Sequence, residues 1–270
     1  MTNPFIIAVV NQKGGVSKTT TTVNLGAALA RRGFRVLLID LDTQCNLTQS
    51  LIGELEPERP CIGACLKNTT ALNDVLVPTG TENLYLVPAG EEMADIDLHL
   101  SGRTSGEKVL ERCIKKSDLT GFDFIIIDTA PYISRLTWNA LVPSTHYLVP
   151  TLAEYLPLRG IERLTRNIDR VREEQNPDLS LLGVVITQYD TRKSITARIE
   201  EALREGLGDA LFQTRIRINT KFSSSPINQQ TIFQYEEHDT SKGSDDYSSL
   251  CGEVLERLGV RVEEREVVNG

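Results

Sequence analysis

The 270-residue chain has a formal net charge of −8, and 40% of its residues are hydrophobic, as in ordinary globular proteins. This acidic balance excludes a surface that is positive throughout, so any binding of nucleic acid must come from local basic patches. The sequence has no apolar run near the ~20 residues that span a bilayer, and no apolar leader before its first strand. We expect a cytoplasmic protein whose residues 1–270 form a single domain.

The first chemical signal is a strand, loop and helix pattern near the start of the chain. Residues 5–10 are an unbroken apolar run of the kind that a strand buried on both faces needs. Gly14 and Gly15 follow, and without a Cβ both can bring their backbone N–H groups close around a phosphate. Apolar residues recur at helical spacing after Lys18, so the loop would deliver the phosphate to a helix N-terminus. This arrangement indicates a phosphate-binding loop, or P-loop.

The loop departs from the standard P-loop pattern, because Gln12 and Ser17 occupy the places of its two glycines. Lys13 precedes the glycine pair, so a lysine stands on each side of it. This two-lysine pattern resembles the deviant Walker A signature of the ParA/MinD family of partition and positioning ATPases, and especially its ParA branch.

The resemblance implies ATP and Mg²⁺ as cofactors. It also implies that Lys18 serves the β- and γ-phosphates of its own site, whereas Lys13 reaches the nucleotide of a partner subunit, so that both lysines are catalytic. The residues expected to hold the nucleotide are Gly14, Gly15, Val16, Ser17, Lys18, Thr19 and Thr20.

A second buried strand is predicted over residues 35–40, and it ends in the acidic pair Asp40 and Asp42. Because side chains alternate along an extended chain, both carboxylates should lie on one face, toward the P-loop if the two strands are neighbours. Two carboxylates there need a cation, which Mg²⁺ held by Thr19 and phosphate oxygens would supply. The resemblance implies that Asp42 positions the water that attacks the γ-phosphate and that Asp40 is an outer partner of the metal.

The stretch from residue 46 to residue 120 carries no chemical assignment. We predict a short helix over 68–77, a strand over 84–88 and an amphipathic helix over 105–116. The five cysteines are scattered and form no C-x-x-C pair, so we interpret them as reduced thiols.

A third buried strand, over residues 122–128, ends in Asp128. A hydrophobic strand with an aspartate at its carboxyl end, downstream of a P-loop, is the Walker B arrangement, in which the acid polarises a water on Mg²⁺. The run 136–141 matches the helix that follows in the family. Asp128 is therefore predicted to be part of the metal site with Thr19.

Two more buried strands are predicted over 146–151 and 181–187, and Glu154 is predicted to open a long helix. The resemblance implies that Glu154 contacts the ribose of the nucleotide bound by the partner subunit. A simple favourable interaction between this acid and the helix dipole is the alternative.

Basic residues concentrate in two segments, around 188–193 and 213–226, that we interpret as loops. The resemblance implies that Arg192 and Lys221, together with Arg217, bind DNA without sequence preference through phosphate contacts made by the dimer. Two ordinary solvated loops are the alternative interpretation.

The C-terminal part predicts an amphipathic helix over 247–258 and a flexible acidic tail over 261–270. A membrane-targeting helix would be basic on its polar face, so we expect no membrane partner. The first strand begins at Phe5 without a preceding helix-turn-helix, so operator-specific repression is not expected.

Buried strands separated by helical segments predict an α/β fold: a doubly wound, mostly parallel sheet with helices on both faces and the nucleotide at the carboxyl ends of the strands. The resemblance then implies an ATPase that forms a homodimer around ATP, binds nonspecific DNA as the dimer and releases it after slow hydrolysis stimulated by a ParB-like or cargo-adaptor protein. A cation outside its own pocket, such as Lys13, gains most when the phosphates of a second subunit complete its ion pair. Nucleoid association would follow.

The cargo is left open by the sequence. Partition of plasmid or chromosomal DNA is the first reading, and positioning of a protein cargo, such as a chemoreceptor cluster or a carboxysome, is the second. A MinD-like or metal-cluster-scaffold ATPase without DNA binding is the third. The acidic tail and the lack of a cysteine pair in the C-terminal half weigh against the third reading.

Overall fold

A mostly parallel sheet runs through the molecule. The computed structural model describes residues 3–154, 157–236 and 242–261, with only the backbone of residue 157. Within these residues the strands are β1 (Phe5–Val9), β2 (Val36–Leu41), β3 (Val77–Pro78), β4 (Leu84–Val87), β5 (Phe124–Thr129), β6 (His146–Leu152), β7 (Ser180–Tyr189) and β8 (Leu211–Arg217). They form one eight-stranded sheet in the order β3-β4-β2-β5-β1-β6-β7-β8. Every neighbouring pair is parallel except β3 and β4.

Helices cover both faces of this sheet. They are α1 (Lys18–Ala30), α2 (Asn46–Ile52), α3 (Ile62–Leu66), α4 (Leu72–Val75), α5 (Ile96–Ser101), α6 (Val109–Lys116), α7 (Arg135–Leu141), α8 (Pro157–Glu174), α9 (Ser194–Leu207), α10 (Lys221–Ser224), α11 (Ile232–Tyr235) and α12 (Lys242–Arg257). One hydrophobic core joins the sheet to α1, α2, α11 and α12, and a second joins its other face to α3 through α9. The predicted doubly wound α/β fold is confirmed.

The central strands read as continuous apolar runs because both of their faces are covered. Along β2, Leu37 and Ile39 enter one core and Val36 and Leu38 enter the other. A Cβ added to Gly26 of α1 would lie 2.7 Å from a Leu38 methyl carbon, so this glycine lets α1 rest directly on the sheet. The N-terminus of α1 is thereby fixed at the carboxyl ends of the central strands.

The prediction of a basic loop over 213–226 is wrong over residues 213–217, because these belong to edge strand β8, parallel to β7. The strand is difficult to predict from the sequence, because only Leu211, Phe212 and Ile216 of it are buried and arginines occupy outward positions. Edge strands are often charged in this way, since charge discourages pairing with other chains.

Other predicted elements differ in extent. Only Leu72–Val75 of the predicted helix over 68–77 is helical, and Val77–Pro78 pairs with β4 instead. The predicted helix over 105–116 begins as a 3₁₀ turn, Gly106–Lys108. Helix α8 begins at Pro157, so Glu154 precedes it, with residues 155 and 156 outside the described part.

The tail predicted over 261–270 lies outside the described residues apart from residue 261. Among the helices that the structure describes, none combines the length and the apolar character needed to cross a bilayer.

A buried asparagine ties α7 to the start of α6 and to the turn before it. Asn139 accepts a hydrogen bond from the Leu110 N–H (2.9 Å) and donates to the carbonyl oxygens of Gly106 (2.7 Å) and Arg135 (2.9 Å). We expect Asn139→Ala to lower the free energy of unfolding by about 2–4 kcal/mol, because it leaves buried backbone groups unpaired. Urea denaturation followed by circular dichroism measures the loss.

The matched control is Asn73→Ala, since Asn73 is exposed and bonds to the Asp118 backbone at the surface. Its effect should stay below about 1 kcal/mol. Equal losses of unfolding free energy in the two variants would show that the contribution of the Asn139 hydrogen bonds does not depend on their burial.

Candidate nucleotide-binding site

The loop between β1 and α1 surrounds an open space. Gly15 (φ 73°) and Ser17 (φ 63°) both adopt the left-handed conformation, and α1 begins at the next residue, Lys18. A Cβ added to Gly14 or Gly15 would meet no atom of the described residues within 4 Å, so none of these residues fills the space in front of them. The predicted P-loop geometry is therefore present, with room for phosphates at the start of a helix.

A cavity of about 360 Å³ adjoins this loop, at the carboxyl ends of β1, β2 and β5. Its wall includes the predicted residues Gly14, Gly15, Ser17, Lys18, Thr19, Thr20 and Asp42. A nucleotide site at this edge is what a doubly wound sheet predicts.

The sequence prediction misses one wall of the cavity. Phe222, Ser225, Pro226 and Gln230 line it as well. The first three belong to the segment 213–226 that the sequence prediction places at DNA, and Gln230 follows it. The signal that could have revealed them is Pro226, which follows a short polar run and marks a turn close to the partly buried Phe222.

The P-loop is held from the neighbouring strands β6 and β7. Asn11 donates from its side chain to the Pro150 carbonyl oxygen (2.7 Å) and accepts from the Lys13 backbone N–H (3.0 Å). The Thr187 hydroxyl donates to the Val16 carbonyl oxygen (3.1 Å). These contacts fix the loop before any ligand binds, which lowers the entropy lost on binding.

Lys18 is the buried cation of the site. Its exposed fraction is 7%, and burial lowers its pKa, whereas the nearby carboxylates of Asp128 and Asp42 act in the opposite direction. An ammonium group in such a low-dielectric site interacts strongly with phosphate oxygens.

The residues predicted to hold magnesium do meet. The Thr19 hydroxyl donates to Asp128 Oδ2 (2.6 Å) at the end of β5, and the Thr22 hydroxyl is 3.4 Å from Oδ1. Burial raises the pKa of Asp128, and the charge of Asp40 raises it further. The protein alone therefore balances the negative charge of this carboxylate poorly. Hydroxyl and carboxylate oxygens are ligands that Mg²⁺ prefers, and these residues fit it.

Asp40 faces other partners. Its Oδ2 accepts from the Thr48 N–H (2.9 Å) and hydroxyl (2.7 Å), and its Oδ1 accepts from the Asp42 N–H (3.1 Å). Burial raises the pKa of Asp40 to about 6, and the bonds from Thr48 oppose this shift. Asp40 thus anchors α2 and the chain beyond β2, whereas Asp42 is the acid on the cavity wall.

Lys13 and Glu154 lie together at the rim. In the described part of the chain, the cavity wall includes neither of them. The Lys13 ammonium donates to the Glu154 carboxylate of the same chain, and the two side chains are 54% and 55% exposed. The structure therefore brings together the two residues that the resemblance assigns to the nucleotide of a partner.

The sheet, the P-loop and the acidic strand ends define a P-loop nucleotide-binding protein. A family model described as "AAA domain" matches residues 5–181. Soj of Bacillus subtilis, a sporulation initiation inhibitor protein, is 36% identical over 92% of this chain and 97% of its own length. The chromosome partitioning protein ParA of Caulobacter vibrioides is 34% identical over 94% of this chain and 96% of its own length. The chain belongs to the ParA/MinD family of deviant Walker A ATPases.

Solved structures agree with this placement. Cobyrinic acid a,c-diamide synthase of Mycobacterium smegmatis, with bound ADP and magnesium, has a TM-score of 0.81 and 32% identity over 95% of this chain and 96% of that one. The ATP complex of a Cyanothece McdA variant has a TM-score of 0.82 over 97% and 98% of the two chains, but at 23% identity it supports the fold alone. The protein is an ATPase whose cofactors are ATP and Mg²⁺.

Variants of the buried carboxylates Asp128 and Asp40 should affect different properties of the protein. We expect Asp128→Asn to raise the Mg²⁺ concentration needed for half-maximal ATP hydrolysis by at least about tenfold, because it weakens the predicted metal site. The matched variant Asp40→Asn should change that requirement less than about threefold but lower the free energy of unfolding by about 1–3 kcal/mol through its bonds to Thr48. Mg²⁺ titration of activity and urea denaturation measure the two effects. A shift in Asp40→Asn as large as in Asp128→Asn would place Asp40 at the metal.

Proposed function

We propose that the protein is an ATP-dependent dimerising ATPase that binds DNA without sequence preference in its ATP-bound state and releases it after hydrolysis, and that this cycle drives partition of plasmid or chromosomal DNA. The observation that carries the DNA-binding half is a basic cleft. The relatives named for chromosome partition support the cargo.

The basic cleft is a cavity of about 650 Å³ lined by Arg192, Arg217, Lys221 and Lys242. Among the residues that the structure describes, its wall contains one acidic side chain, Asp190. The cations come from separate segments, and the fold gathers them on a chain whose net charge is −8. Such a local concentration of positive charge favours contacts with a phosphate backbone.

The four cations are not equally available. Arg192 is 83% exposed, although its guanidinium bonds to Asp190 through Nε (2.9 Å) and Nη2 (3.1 Å). Arg217 is less exposed, and its Nε and Nη2 atoms are committed to Asp246 of α12. Lys221 is 35% exposed and pairs with Glu236 at 3.9 Å, a longer contact than the bonds between Arg217 and Asp246. We therefore assign the main phosphate contacts to Arg192 and the exposed Lys242, with Lys221 exchanging its longer contact for a phosphate, and a supporting role to Arg217.

For hydrolysis, we assign phosphate binding to Lys18 and to the backbone of residues 14–20. Thr19 and Asp128 would hold Mg²⁺, which neutralises developing charge on the phosphates. Asp42 is the acid on the cavity wall, so we assign it the positioning of the attacking water. Its carboxylate accepts from the Gln44 N–H (3.0 Å), which fixes its orientation.

Dimerisation follows from the place of Lys13. Because its ammonium lies at the rim, the phosphates of a facing subunit would give it a stronger charge-assisted contact than its own nucleotide does. It must first leave Glu154, but an exposed ion pair of this kind stabilises a fold by only about 0–1 kcal/mol. Glu154 would then be available to the ribose of the partner's nucleotide. A ParB-like or cargo-adaptor protein would accelerate the slow turnover.

We expect Lys13→Ala to remain monomeric in a saturating non-hydrolysable ATP analogue, because the cross-subunit cation is gone. Size-exclusion chromatography with light scattering measures this. Lys115→Ala is the matched control, since Lys115 is also exposed and paired with a glutamate of its own chain, and it should dimerise like the original protein. A stable dimer of Lys13→Ala would refute the cross-subunit role.

The double variant Arg192→Glu with Lys221→Glu should bind duplex DNA at least about tenfold more weakly and with a smaller dependence on salt, because phosphate contacts are lost. ATP hydrolysis without DNA should stay within about twofold. Fluorescence anisotropy with two duplexes of unrelated sequence, at several salt concentrations, measures the affinity.

Arg170→Glu with Lys116→Glu makes the same change in net charge on exposed positions of α8 and α6. This control should keep most of the DNA affinity. Equal weakening in both double variants would mean that overall charge, and not the basic cleft, governs binding.

A further inference from the structure

The end of β7 contacts three successive residues of the P-loop. The Gln188 side-chain amide nitrogen donates to the Gly15 carbonyl oxygen (2.8 Å) and to Ser17 Oγ (3.1 Å). The preceding residue, Thr187, donates to the Val16 carbonyl oxygen (3.1 Å) between them. Both N–H donors of one amide are thus used on the loop.

The backbone at this point is unusual. Gln188 has a φ of 51°, in the left-handed region that residues other than glycine, asparagine and aspartate seldom occupy. Such a conformation persists where surrounding contacts determine it. Its partners Gly15 and Ser17 are left-handed too, so the two hydrogen bonds join two tightly bent segments that are far apart in sequence.

The same turn carries a cation of the basic cleft. Asp190 lies two residues after Gln188. Its carboxylate accepts hydrogen bonds from the backbone N–H (3.1 Å), Nε (2.9 Å) and Nη2 (3.1 Å) of Arg192. Hydrogen bonds thus join the P-loop to Gln188 and Asp190 to Arg192, and the backbone through Tyr189 connects the two.

We propose that Gln188 is a positioning residue that holds the P-loop in its phosphate-binding shape and links it to the turn that carries Arg192. Nucleotide that orders the P-loop then also orders the turn that carries Arg192, so it favours an anion at the basic cleft of the same subunit. Because coupling between two sites is reciprocal, that anion favours the nucleotide equally. This link, but not the positioning of the P-loop, rests on the proposed DNA binding.

A double-mutant cycle tests the positioning. Gln188→Met keeps the length of the side chain and removes both donors, and Ser17→Ala removes one acceptor. Binding of a non-hydrolysable ATP analogue, measured by isothermal titration calorimetry, should weaken roughly fivefold in Gln188→Met, as expected for two ordinary hydrogen bonds. The double variant should lose clearly less than the product of the single losses, because the two changes remove a shared contact.

Gln213→Met is the control, because Gln213 is an exposed glutamine on β8 that lines a different cavity, and its affinity should not change. Gln188→Gly tolerates the left-handed backbone, so a similar loss in this variant cannot come from strain. The positioning role is overturned if both position-188 variants bind within about twofold of the original protein, or if the losses in the cycle simply multiply.

The link is tested at saturating analogue, where weaker nucleotide binding no longer matters. The affinity for a short duplex should rise on adding the analogue in the original protein, and this rise should be at least about threefold smaller in Gln188→Met, where only dimerisation still contributes. An unchanged rise in Gln188→Met overturns the link. A duplex that binds in neither state counts against the proposed DNA binding instead, and the calorimetric cycle still decides the positioning role.

Discussion

Two buried carboxylates lie side by side in this protein, and the arrangement of the site depends on the groups that balance their charges. Parallel pairing of β2 with β5 puts Asp40 opposite Asp128, and both are fully buried. Their mutual repulsion must be balanced locally. Thr48 balances Asp40 with two hydrogen bonds, whereas Asp128 has Thr19 and Lys18 and so faces the place where a cation can bind.

The same strand register explains why Asp40 is bonded to the fold whereas Asp42 lies at the cavity. Once Asp40 is engaged by α2, the chain beyond β2 turns and brings Asp42 to the cavity wall. Asp42 is held by a backbone N–H but keeps access to the cavity. The Asp-x-Asp spacing thus separates a carboxylate that is bonded to α2 from one that lines the cavity, a division that a shared orientation along an ideal strand does not anticipate.

The sequence predicts the central fold well because β1, β2 and β5 are buried on both faces and read as apolar runs. It predicts the P-loop because its chemistry is local. It misses β8, where charged residues mask an edge strand, and it misses contacts between distant segments. Lys13 with Glu154, and Gln188 with the P-loop, are pairs that only the tertiary structure brings together. The wall around Phe222 is missed for the same reason.

The cations of the protein differ in how far they are removed from water, and this difference suits the proposed cycle. Lys18 is buried, so its attraction to phosphate is strong and little affected by salt. Lys13 is half-exposed and already paired, so it can exchange one anion for another at small cost. Arg192 is largely exposed, so the phosphate contact that we propose for it would be weak alone and sensitive to salt. In the proposed cycle such a protein would hold its nucleotide firmly, while its hold on DNA would depend on several exposed contacts acting together and would end readily when a dimer separates.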